Sequence, residues 1–415
     1  MGMKRLLFVS PELPYPMQSG GKVKSMKLLH ALSKRYRVTF ASPLKGEDAS
    51  HVDEFHAASP CVEHVHVSVD VPRSAINLLI SYLQGIPLNV RRTMDSVLRN
   101  RIADVADDFD VIFLDHYEVY PYLPQGYGGL VVYHAHNAYF KIWERYASLP
   151  GNPVMRVASY LEAIRVRRCE ASVARQADLV FAAPSDAREL VDAGVSGNCI
   201  RPTFHLGDDS YLQRNELCFQ RTRKKLMYVG LLSWEPNVQG LLWFIEHVWP
   251  RLEPCHPDLV FDVVGKNPDP RLVDAAAAHA GITLTGFVAD LEDIYRDSRV
   301  SVAPLLFGSG MKVKVLDAMA RGIPTVTTPV GAEGIDIRNG VHLMVSEAPD
   351  HMASQIDQLL SDAVLWDTLR TQSRQLIGER YTWASLFESM HRDMDHALSL
   401  KRDAVSLENE VANVV

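Results

Sequence analysis

Short apolar runs alternate with longer amphipathic stretches along almost the whole chain. Such runs are typical of strands buried on both faces, and the stretches between them repeat apolar positions with a helical period. The predicted strands are residues 6–9, 38–41, 62–67, 111–114, 130–134, 179–182, 199–200, 225–229, 259–264, 282–284, 300–303 and 325–328. Buried strands that alternate with helices predict an α/β fold with doubly wound parallel sheets.

The pattern breaks once, between residues 202 and 223, where the chain is polar and has no sustained period. A fresh first strand follows this break. The sequence therefore predicts two Rossmann-like domains, residues 1–205 and residues 206–382. We expect a last amphipathic helix over residues 383–400 and a frayed tail over residues 401–415.

Composition narrows the class of protein. The 415 residues carry 43 Lys and Arg against 50 Asp and Glu, a net charge of −7, so nucleic acid is not an expected partner. No apolar run approaches the roughly 20 residues that span a bilayer, and the run at residues 6–9 is too short for a signal peptide. The five cysteines are scattered without a C-x-x-C pair, which argues against disulfides and zinc. We expect a cytoplasmic protein.

The stretch 305–334 carries the strongest chemical signal. A turn of Gly308, Ser309 and Gly310 precedes a short helix that carries Lys312, Lys314 and Asp317. A flexible turn at a helix N-terminus presents free backbone N–H groups, and the helix dipole favours an anion there. The lysines add positive charge, and a carboxylate one turn further accepts hydrogen bonds from hydroxyls. A diphosphate joined to a ribose suits these groups.

The motif G-S-G-M-K-V-K-V-L-D-A-M-A-R-G-I-P-T-V, at residues 308–326, resembles the donor-site motif of glycosyltransferase family 4. The exopolysaccharide branch of these retaining GT-B enzymes is the most similar, and the resemblance extends over residues 4–398. It implies two Rossmann-like domains facing a cleft: an acceptor-side domain first, then a donor domain. It also implies that helix 383–400 crosses back to the first domain. The donor would be a nucleoside-diphosphate sugar and the acceptor a saccharide or a lipid-linked intermediate, with no cofactor and no metal.

The resemblance assigns roles within this motif. Asp317 stands where the family has its second glutamate, which holds the ribose hydroxyls. Ser309 stands where the family has its first glutamate, so backbone N–H groups of Gly310 and Met311 would contact the donor sugar instead. The loop after Gly230 lacks the Arg and Lys with which many relatives grip the diphosphate. We infer that Lys312 and Lys314 replace them.

Three further loops follow strands in the second domain. Gly265 and Lys266 follow one strand, and Gly286 and Phe287 follow the next. In the family such loops hold the base, but both are equally well explained as strand-end turns. Glu333 likewise has two interpretations: it contacts the donor sugar, or it only keeps its loop soluble.

In the first domain, Gly20 and Gly21 open a helix after the first strand. Their spacing is not the G-x-G-x-x-G of dinucleotide-binding domains. In the family this pair faces the β-phosphate of the donor. His136, after the strand 130–134, would hydrogen-bond the donor sugar, unless it is an ordinary loop histidine satisfied by its neighbours. His134 and His136 alternate like metal ligands, but no third ligand is apparent, so we reject a metal site.

The acceptor side gives a weaker signal. Residues 75–88 are the most apolar stretch outside the sheets, Arg91 and Arg92 follow them, and the helix predicted over 155–175 carries five arginines. Apolar residues beside arginines suit an interfacial segment, which would give peripheral membrane contact. They suit a packed helix with a solvated face equally well, and we favour that interpretation.

The sequence thus predicts a retaining glycosyltransferase that uses a nucleoside-diphosphate sugar. Two alternatives remain. Ser309 and the cation-free loop after Gly230 also suit an inactive relative that binds a nucleotide or a partner protein. A nicotinamide-dependent oxidoreductase would share the Rossmann domains, but the missing dinucleotide fingerprint argues against it.

Overall fold

The structure is a computed structural model that describes residues 3–17, 19–72, 74–148, 153–204, 206–308 and 310–412. The chain forms two compact units. Unit 1 comprises the chain up to Phe204 and again from Phe387 onward, and unit 2 comprises the chain between them, ending at Leu386. Within the described ranges, no helix is both long enough and apolar enough to cross a membrane.

Unit 1 is built on a parallel sheet. Its strands are β1 (Arg5–Val9), β2 (Arg37–Leu44), β3 (Glu63–Ser68), β4 (Val111–Asp115), β5 (Leu130–His134), β6 (Leu179–Ala182) and β7 (Ile200–Pro202). Among the described residues these seven strands follow the order β3-β2-β1-β4-β5-β6-β7. Its helices are α1 (Gly20–Ser33), α2 (Val52–Ala58), α3 (Ala75–Leu83), α4 (Leu88–Thr93), α5 (Ser96–Val105), α6 (Tyr139–Ser148), α7 (Pro153–Gln176) and α8 (Pro184–Asp192). The central strands β4, β5 and β6 are buried at every residue, which is why they appear in the sequence as continuous apolar runs.

Unit 2 repeats this architecture with its own core. Its strands are β8 (Lys225–Val229), β9 (Val260–Val264), β10 (Ile282–Gly286), β11 (Val300–Ala303), β12 (Thr325–Thr327) and β13 (Met344–Val345). They form a parallel sheet of six strands among the described residues, in the order β10-β9-β8-β11-β12-β13. Its helices are α9 (Glu235–Trp243), α10 (Trp249–Leu252), α11 (Pro270–Ala277), α12 (Glu292–Asp297), α13 (Val313–Arg321), α14 (Pro349–Ser361) and α15 (Ala363–Arg380), with a π-helical turn at Phe244–Val248. The last helix, α16 (Trp383–Ala412), begins in unit 2 and ends in unit 1.

Short 3₁₀ helices complete the connections. They lie at Gly46–His51, Ala106–Asp108, Tyr117–Tyr122, Gly197–Cys199, Asp209–Gln213 and Phe219–Arg221.

All twelve predicted strands form, several with bounds shifted by one to three residues, and two further segments differ from the prediction. The two-residue strand β13 was not predicted, because so short a segment has no recognisable period. Residues 401–412, predicted as part of a tail, extend α16. They contain neither Gly nor Pro, and Lys401 Nζ lies 2.6 Å from Asp178 Oδ2, which ties this part of the helix to unit 1.

In each sheet the strand order reverses beside the first strand of the unit. β1 lies between β2 and β4, and β8 lies between β9 and β11. Connections leave to opposite sides at these points, so a crevice opens at the carboxyl ends of the strands, where doubly wound folds bind ligands. The loops after β1 and β4, and those after β8 and β11, are therefore the places to look for a site.

Candidate functional site

Lys314 places its ammonium group where the strand order of unit 2 reverses. This lysine lies in the first turn of α13. Its Nζ donates hydrogen bonds to the Tyr228 hydroxyl on β8 at 2.6 Å and to Asn237 Oδ1 on α9 at 2.8 Å. Nζ also lies 4.3 Å from the centre of the Tyr228 ring. Two neutral groups and an aromatic face thus hold the ammonium group at the carboxyl edge of the sheet.

The charge of Lys314 has no acidic partner in the described part of the chain, where no carboxylate lies within 4.0 Å of its Nζ. Burial, with a smaller contribution from the nearby Lys312, lowers the pKa of Lys314 to about 7. An ammonium group desolvated in this way costs free energy that a bound anion would offset. The geometry therefore favours an anionic ligand beside Lys314.

Gly230 and Gly265 lie close to the ammonium group of Lys314 and to each other, in a space that leaves no room for a larger side chain. A Cβ atom added to Gly230 would lie 2.8 Å from Lys314 Nζ, and one added to Gly265 would lie 1.8 Å from the Gly230 carbonyl oxygen. The Gly230 N–H donates to the Val264 carbonyl at 3.0 Å. The turns after β8 and β9 thus touch through their backbones, and neither glycine places a side chain against the ammonium group of Lys314.

Lys312 is held differently from Lys314. It caps the N-terminus of α13, and its Nζ donates to the Gly310 carbonyl and lies 3.3 Å from Glu333 Oε2. Gly310, with φ of 74°, adopts the left-handed conformation that glycine tolerates. Ser309 lies outside the described residues. Since Glu333 balances the charge of Lys312, the two lysines that the sequence analysis treated alike are not equivalent.

Asp317 does not pair with Lys314, although the two lie three positions apart on one helix. Its Oδ1 accepts a hydrogen bond from the backbone N–H of Asp208 at 2.7 Å. Burial raises the pKa of Asp317 to about 7, against the effect of this hydrogen bond. A Cβ atom on Gly207 would lie 2.0 Å from Asp317 Oδ1, so the chain approaches the carboxylate too closely for any other residue. The carboxyl group is thus partly desolvated, and within the described ranges it forms no ion pair.

An aromatic platform lies at the carboxyl ends of β9 and β10. Lys266 Nζ lies 3.9 Å from the centre of the Phe287 ring, and 63% of Phe287 is exposed. The Gly265 N–H donates to the Gly286 carbonyl at 2.9 Å, which joins the two loops. An exposed aromatic face backed by a cation suits the stacking of a planar ring.

The predicted residues of unit 2 fall into groups. Gly230 and Gly265 surround Lys314, whereas Gly308, Gly310 and Glu333 surround Lys312. Met311 packs under the loop that carries Glu333, because a Cβ atom on Gly334 would lie 2.7 Å from Met311 Cγ. Lys266 and Phe287 contact each other, and Asp317 contacts the segment Gly207–Asp208.

The carboxyl edge of the unit 1 sheet holds a buried polar cluster around Asp115. Asp115 ends β4 and is paired in register with His134, which ends β5. Its Oδ1 lies 2.7 Å from both His134 Nδ1 and His136 Nε2, and its Oδ2 accepts a hydrogen bond from Ser25 Oγ at 2.6 Å. All four side chains are buried. His136 is therefore buried and its Nε2 is satisfied by Asp115, as the alternative of an ordinary loop histidine expects, and the carboxylate of Asp115 fixes its orientation.

The protonation states in this cluster follow from its burial. Burial alone would raise the pKa of Asp115, but its interaction with His136 and hydrogen bonds from both histidines hold that pKa well below its usual range. Burial lowers the pKa of His134 and of His136 to about 4. Because a carboxylate only accepts hydrogen bonds, His134 carries its proton on Nδ1 and His136 on Nε2. At neutral pH a single anion thus lies between two neutral imidazoles.

Gly21 lies beside the other nitrogen of His136. A Cβ atom on Gly21 would lie 3.9 Å from His136 Nδ1, so the structure brings together two residues that the sequence analysis singled out separately. Gly20 begins α1, which Ser19 caps by accepting from the Lys22 N–H. The His116 ring stacks on the His136 imidazole, with ring centres 3.8 Å apart.

Lys24 adds a buried amine near this cluster. It lies on α1 and is 2% exposed. Burial lowers its pKa to about 7, against the attraction of Asp115 and Asp186. The carboxyl edge of the unit 1 sheet thus combines a fixed carboxylate with an amine that titrates near neutrality.

Asp115, His134 and His136 are also candidate ligands for a metal ion. Their ligand atoms lie within 4.8 Å of one another. The sequence analysis found only the two histidines; Asp115 is the third group. The 2.7 Å separations are those of hydrogen bonds. Ligands held about 2.0–2.2 Å from one zinc ion in tetrahedral geometry would stand farther apart. The side chains therefore fit a hydrogen-bonded cluster better, and a metal-free site stays a prediction.

Sequence reasoning missed Asp115, Ser25, Lys24 and Tyr228. A signal for Asp115 was present, because it directly follows the predicted strand 111–114, as His134 ends the strand 130–134. Consecutive parallel strands often lie side by side, which would have placed these two residues together. Nothing in the pattern pointed to Tyr228, which reads as one more apolar position of a buried strand.

Comparison with known proteins bears on both units. Residues 223–362 match the family described as "Glycosyl transferases group 1". The chain is 20% identical over 404 residues to a 44.6 kDa protein in the cps region of Klebsiella pneumoniae, with 94% of this chain and 100% of the relative covered. It is 23% identical to a glycosyltransferase of Methanocaldococcus jannaschii over 239 residues, which cover 56% of this chain and 60% of the relative.

The fold has relatives of known structure. The crystal structure of Anabaena Alr3699/HepE in complex with UDP and glucose matches with a TM-score of 0.62 at 13% identity, covering 95% of this chain and 100% of that protein. The predicted fold, an α/β protein with two Rossmann-like domains of the GT-B type, is confirmed. The predicted resemblance is confirmed at the level of the group 1 glycosyltransferases, through the segment 223–362 of unit 2.

Proposed function

We propose that the protein is a glycosyltransferase that moves a sugar from a nucleoside-diphosphate sugar to a saccharide or a lipid-linked saccharide. The observation that carries this proposal is the buried ammonium group of Lys314. It has neutral hydrogen-bond partners, lies where the strand order of unit 2 reverses, and belongs to the segment that matches group 1 glycosyltransferases. A diphosphate is an anion that would offset the cost of burying this charge.

The remaining groups of unit 2 suit the other parts of a nucleotide. The desolvated carboxyl group of Asp317 would accept hydrogen bonds from ribose hydroxyls, which favour its ionised form. Phe287 and Lys266 would stack on and border the base. Glu333 and the backbone at Gly310 and Met311 would contact the donor sugar. These roles follow the chemistry of each group and the family motif that the sequence resembles.

We propose uridine as the nucleoside. HepE of Anabaena, which shares the fold, is described in complex with UDP and glucose. The loops after β9 and β10 offer backbone groups and an aromatic face, which suit a pyrimidine edge and ring.

We propose that transfer retains the configuration of the sugar, as in the family-4 enzymes that the motif resembles. The bond between the anomeric carbon and the β-phosphate oxygen breaks, and a bond from the acceptor oxygen forms on the same face. The leaving phosphate takes the proton of the acceptor hydroxyl. Lys314 would stabilise the charge that grows on the diphosphate, an interaction that strengthens in the transition state.

The cluster of unit 1 would act on sugar hydroxyls. Asp115 holds the proton of His136 on Nε2, so Nδ1, on the side of Gly21, is the acceptor nitrogen. A fixed neutral imidazole can accept a hydrogen bond from a sugar hydroxyl. The predicted approach of Gly20 and Gly21 to the donor phosphate stays part of the proposal.

An inactive relative is the second candidate, because Ser309 replaces a glutamate and the loop after Gly230 has no cation. The position of Lys314 argues against it. A Cβ atom on Gly230 would lie 2.8 Å from Lys314 Nζ, so this ammonium group lies beside the loop that lacks the cations.

Calorimetric titration tests the proposal first. The purified protein is titrated with UDP, GDP, ADP and NAD, with Asp317→Ala beside it. We expect binding of UDP that the variant loses. Transfer is then assayed with UDP-sugars, and the configuration of the new linkage is determined by NMR.

Each outcome decides between the candidates. Binding of UDP followed by transfer with retention supports the enzyme. Binding without transfer from any UDP-sugar favours the inactive relative. A folded protein that binds none of the nucleotides overturns the enzyme and leaves the inactive relative that binds a partner protein.

A further inference from the structure

A cavity of about 390 Å³ opens in unit 2 among residues that the proposed function does not use. This volume lies within the range of about 300–1,000 Å³ that small-molecule sites have in proteins. Its charged lining consists of four arginines and two glutamates: Arg214, Arg221, Arg296, Arg321, Glu216 and Glu292. We call this space the arginine cavity.

The arginine cavity lies at the amino edge of the unit 2 sheet. Arg221 comes four residues before β8, Arg296 four residues before β11, and Arg321 four residues before β12. Segments that lead into parallel strands reach the sheet at its amino edge, whereas the nucleotide is proposed at the carboxyl edge. Lys314, in the first turn of α13, lies about 10 Å along the helix axis from Arg321, its last residue. The cavity is therefore separate from the proposed nucleotide site.

Contacts with α15 and α12 hold the wall of the cavity that residues 214–221 form. Arg370 Nη1 of α15 donates to Glu216 Oε2 at 2.7 Å. The Tyr211 ring, just before this wall, packs edge-on against the Tyr295 ring of α12, with ring centres 5.2 Å apart. Since α12 carries the opposite wall, the two sides of the cavity are joined in the folded unit.

The lining of the cavity has a surplus of positive charge. In the part of the chain that the structure describes, Arg214 and Arg221 have no carboxylate within 4.0 Å of their guanidinium nitrogens. The other charged groups of the lining are paired: Glu292 with Arg321, Glu216 with Arg370, and Arg296 with Asp293. The surplus therefore amounts to two charges, those of Arg214 and Arg221.

Arg321 adds a buried hydrogen-bond donor. Only 1% of this residue is exposed, and its Nε and Nη2 donate to the Glu292 carboxylate at 2.9 and 2.7 Å. Its Nη1 is buried and has no hydrogen-bond partner among the described residues. A buried N–H group without an acceptor costs free energy, and an oxyanion in the cavity would offset this cost.

We propose that the arginine cavity binds a small phosphate-bearing anion, either a phosphate monoester or inorganic phosphate. Guanidinium groups donate paired hydrogen bonds that match the geometry of phosphate oxygens. A phosphate monoester carries about −1.5 to −2 charges at neutral pH, which balances Arg214 and Arg221. The amide of Asn215, on the same wall, can bind hydroxyl groups of the attached molecule. This site does not depend on the proposed function.

Calorimetric titration of the full-length protein with glycerol 3-phosphate tests this site. Inorganic phosphate and glycerol are titrated beside it. Wild type is compared with Lys314→Met, in which the proposed nucleotide site lacks its cation. We expect both proteins to bind one glycerol 3-phosphate per chain and no glycerol. Inorganic phosphate that binds as tightly as the ester would identify the free ion as the ligand, and weaker binding would identify a monoester.

A double variant with a matched control locates the bound anion. Arg214→Gln combined with Arg221→Gln should weaken glycerol 3-phosphate by about tenfold or more, because charge-assisted hydrogen bonds are lost. Arg251→Gln combined with Arg380→Gln removes the same charge at exposed positions of unit 2 outside the cavity, and should leave the affinity unchanged. All four arginines are exposed, so the melting temperature without phosphate should stay that of wild type.

The outcomes separate this site from the proposed function. Wild type that binds neither phosphate compound, or a cavity variant that binds them as tightly as wild type, overturns the proposal. Binding that Lys314→Met abolishes would place the phosphate in the nucleotide site and also overturn it. The cavity variant should keep the UDP affinity of wild type. A protein that binds glycerol 3-phosphate in the cavity but no UDP would refute the proposed function alone.

Discussion

Replacing Lys314 with methionine tests the nucleotide site most directly. The side chain stays unbranched and is one atom shorter, while the hydrogen bonds to Tyr228 and Asn237 and the charge disappear. A hydrogen bond to a charged group contributes about 1.5–3 kcal/mol, so UDP affinity should fall roughly 10- to 150-fold. Uridine, which lacks the diphosphate, should lose no affinity. Calorimetric titration of both ligands measures the difference.

The pH dependence gives the same experiment a second readout. The pKa of Lys314 is about 7 in the free protein, so above pH 7 binding of UDP must be accompanied by uptake of a proton, and affinity should fall as pH rises. The pKa of Asp317 is also about 7, so its ribose contact should weaken as pH falls below 7. UDP affinity should therefore peak near neutrality, and Lys314→Met should flatten the alkaline side alone. Comparing variant with wild type cancels the titration of UDP itself.

Stability measurements show whether Lys314→Met loses UDP merely because the variant is less stably folded. The unfolded chain holds the Lys314 proton up to about pH 10.5 and the folded chain only up to about pH 7, so this lysine makes the free energy of unfolding rise with pH between those values. Lys314→Met should remove that rise without lowering the melting temperature at neutral pH. Lys224→Met, at an exposed position of the same unit, is the control for ligand binding. Equal losses for UDP and uridine, or full UDP affinity in the folded variant, would refute the assignment.

Four further predictions concern other residues. Asp317→Asn should weaken UDP about tenfold and flatten the acidic side of its affinity profile, whereas UDP lacking both ribose hydroxyls should bind variant and wild type alike. Asp115→Asn should lower the turnover number with UDP affinity unchanged, because His136 loses the carboxylate that fixes its proton; equal activity would show that the tautomer does not matter. Gly265→Ala should destabilise unit 2 by about 1–3 kcal/mol, since the new Cβ meets a backbone oxygen, whereas Gly128→Ala, in open space, should not change the melting temperature. Treatment with EDTA should leave transfer intact, and a loss that zinc restores would instead make Asp115, His134 and His136 a metal site.

The fold was predictable because its strands are buried on both faces. A run such as 130–134 can be recognised without knowing its neighbours, and its observed bounds are the same. Strand β13, with two residues, and the helical end of α16 depend on tertiary contacts that a period does not reveal. The sequence therefore predicted those elements whose apolar residues form a continuous run or a clear helical period.

The candidate site was predictable in type but not in its contacts. The Gly turn and lysines at 308–314 indicated an anion, yet nothing showed that Glu333 pairs with Lys312 while Lys314 has neutral hydrogen-bond partners. Asp115 was missed because a carboxylate at a strand end looks like a solvated turn residue until its neighbouring strand is known. Such pairings arise across the sheet, and a linear pattern does not specify them.

Unit 1 is discontinuous in sequence, and this affects how the protein is made and how it can be rebuilt. The chain leaves unit 1 at Phe204 and returns at Phe387, where α16 supplies the buried Met390 and Met394. A ribosome therefore releases all of unit 2 before it completes unit 1, so unit 2 can finish folding first. A hybrid protein with a foreign unit 2 must accordingly be built as an insertion with two junctions. A simple fusion after Phe204 would leave unit 1 without its last helix.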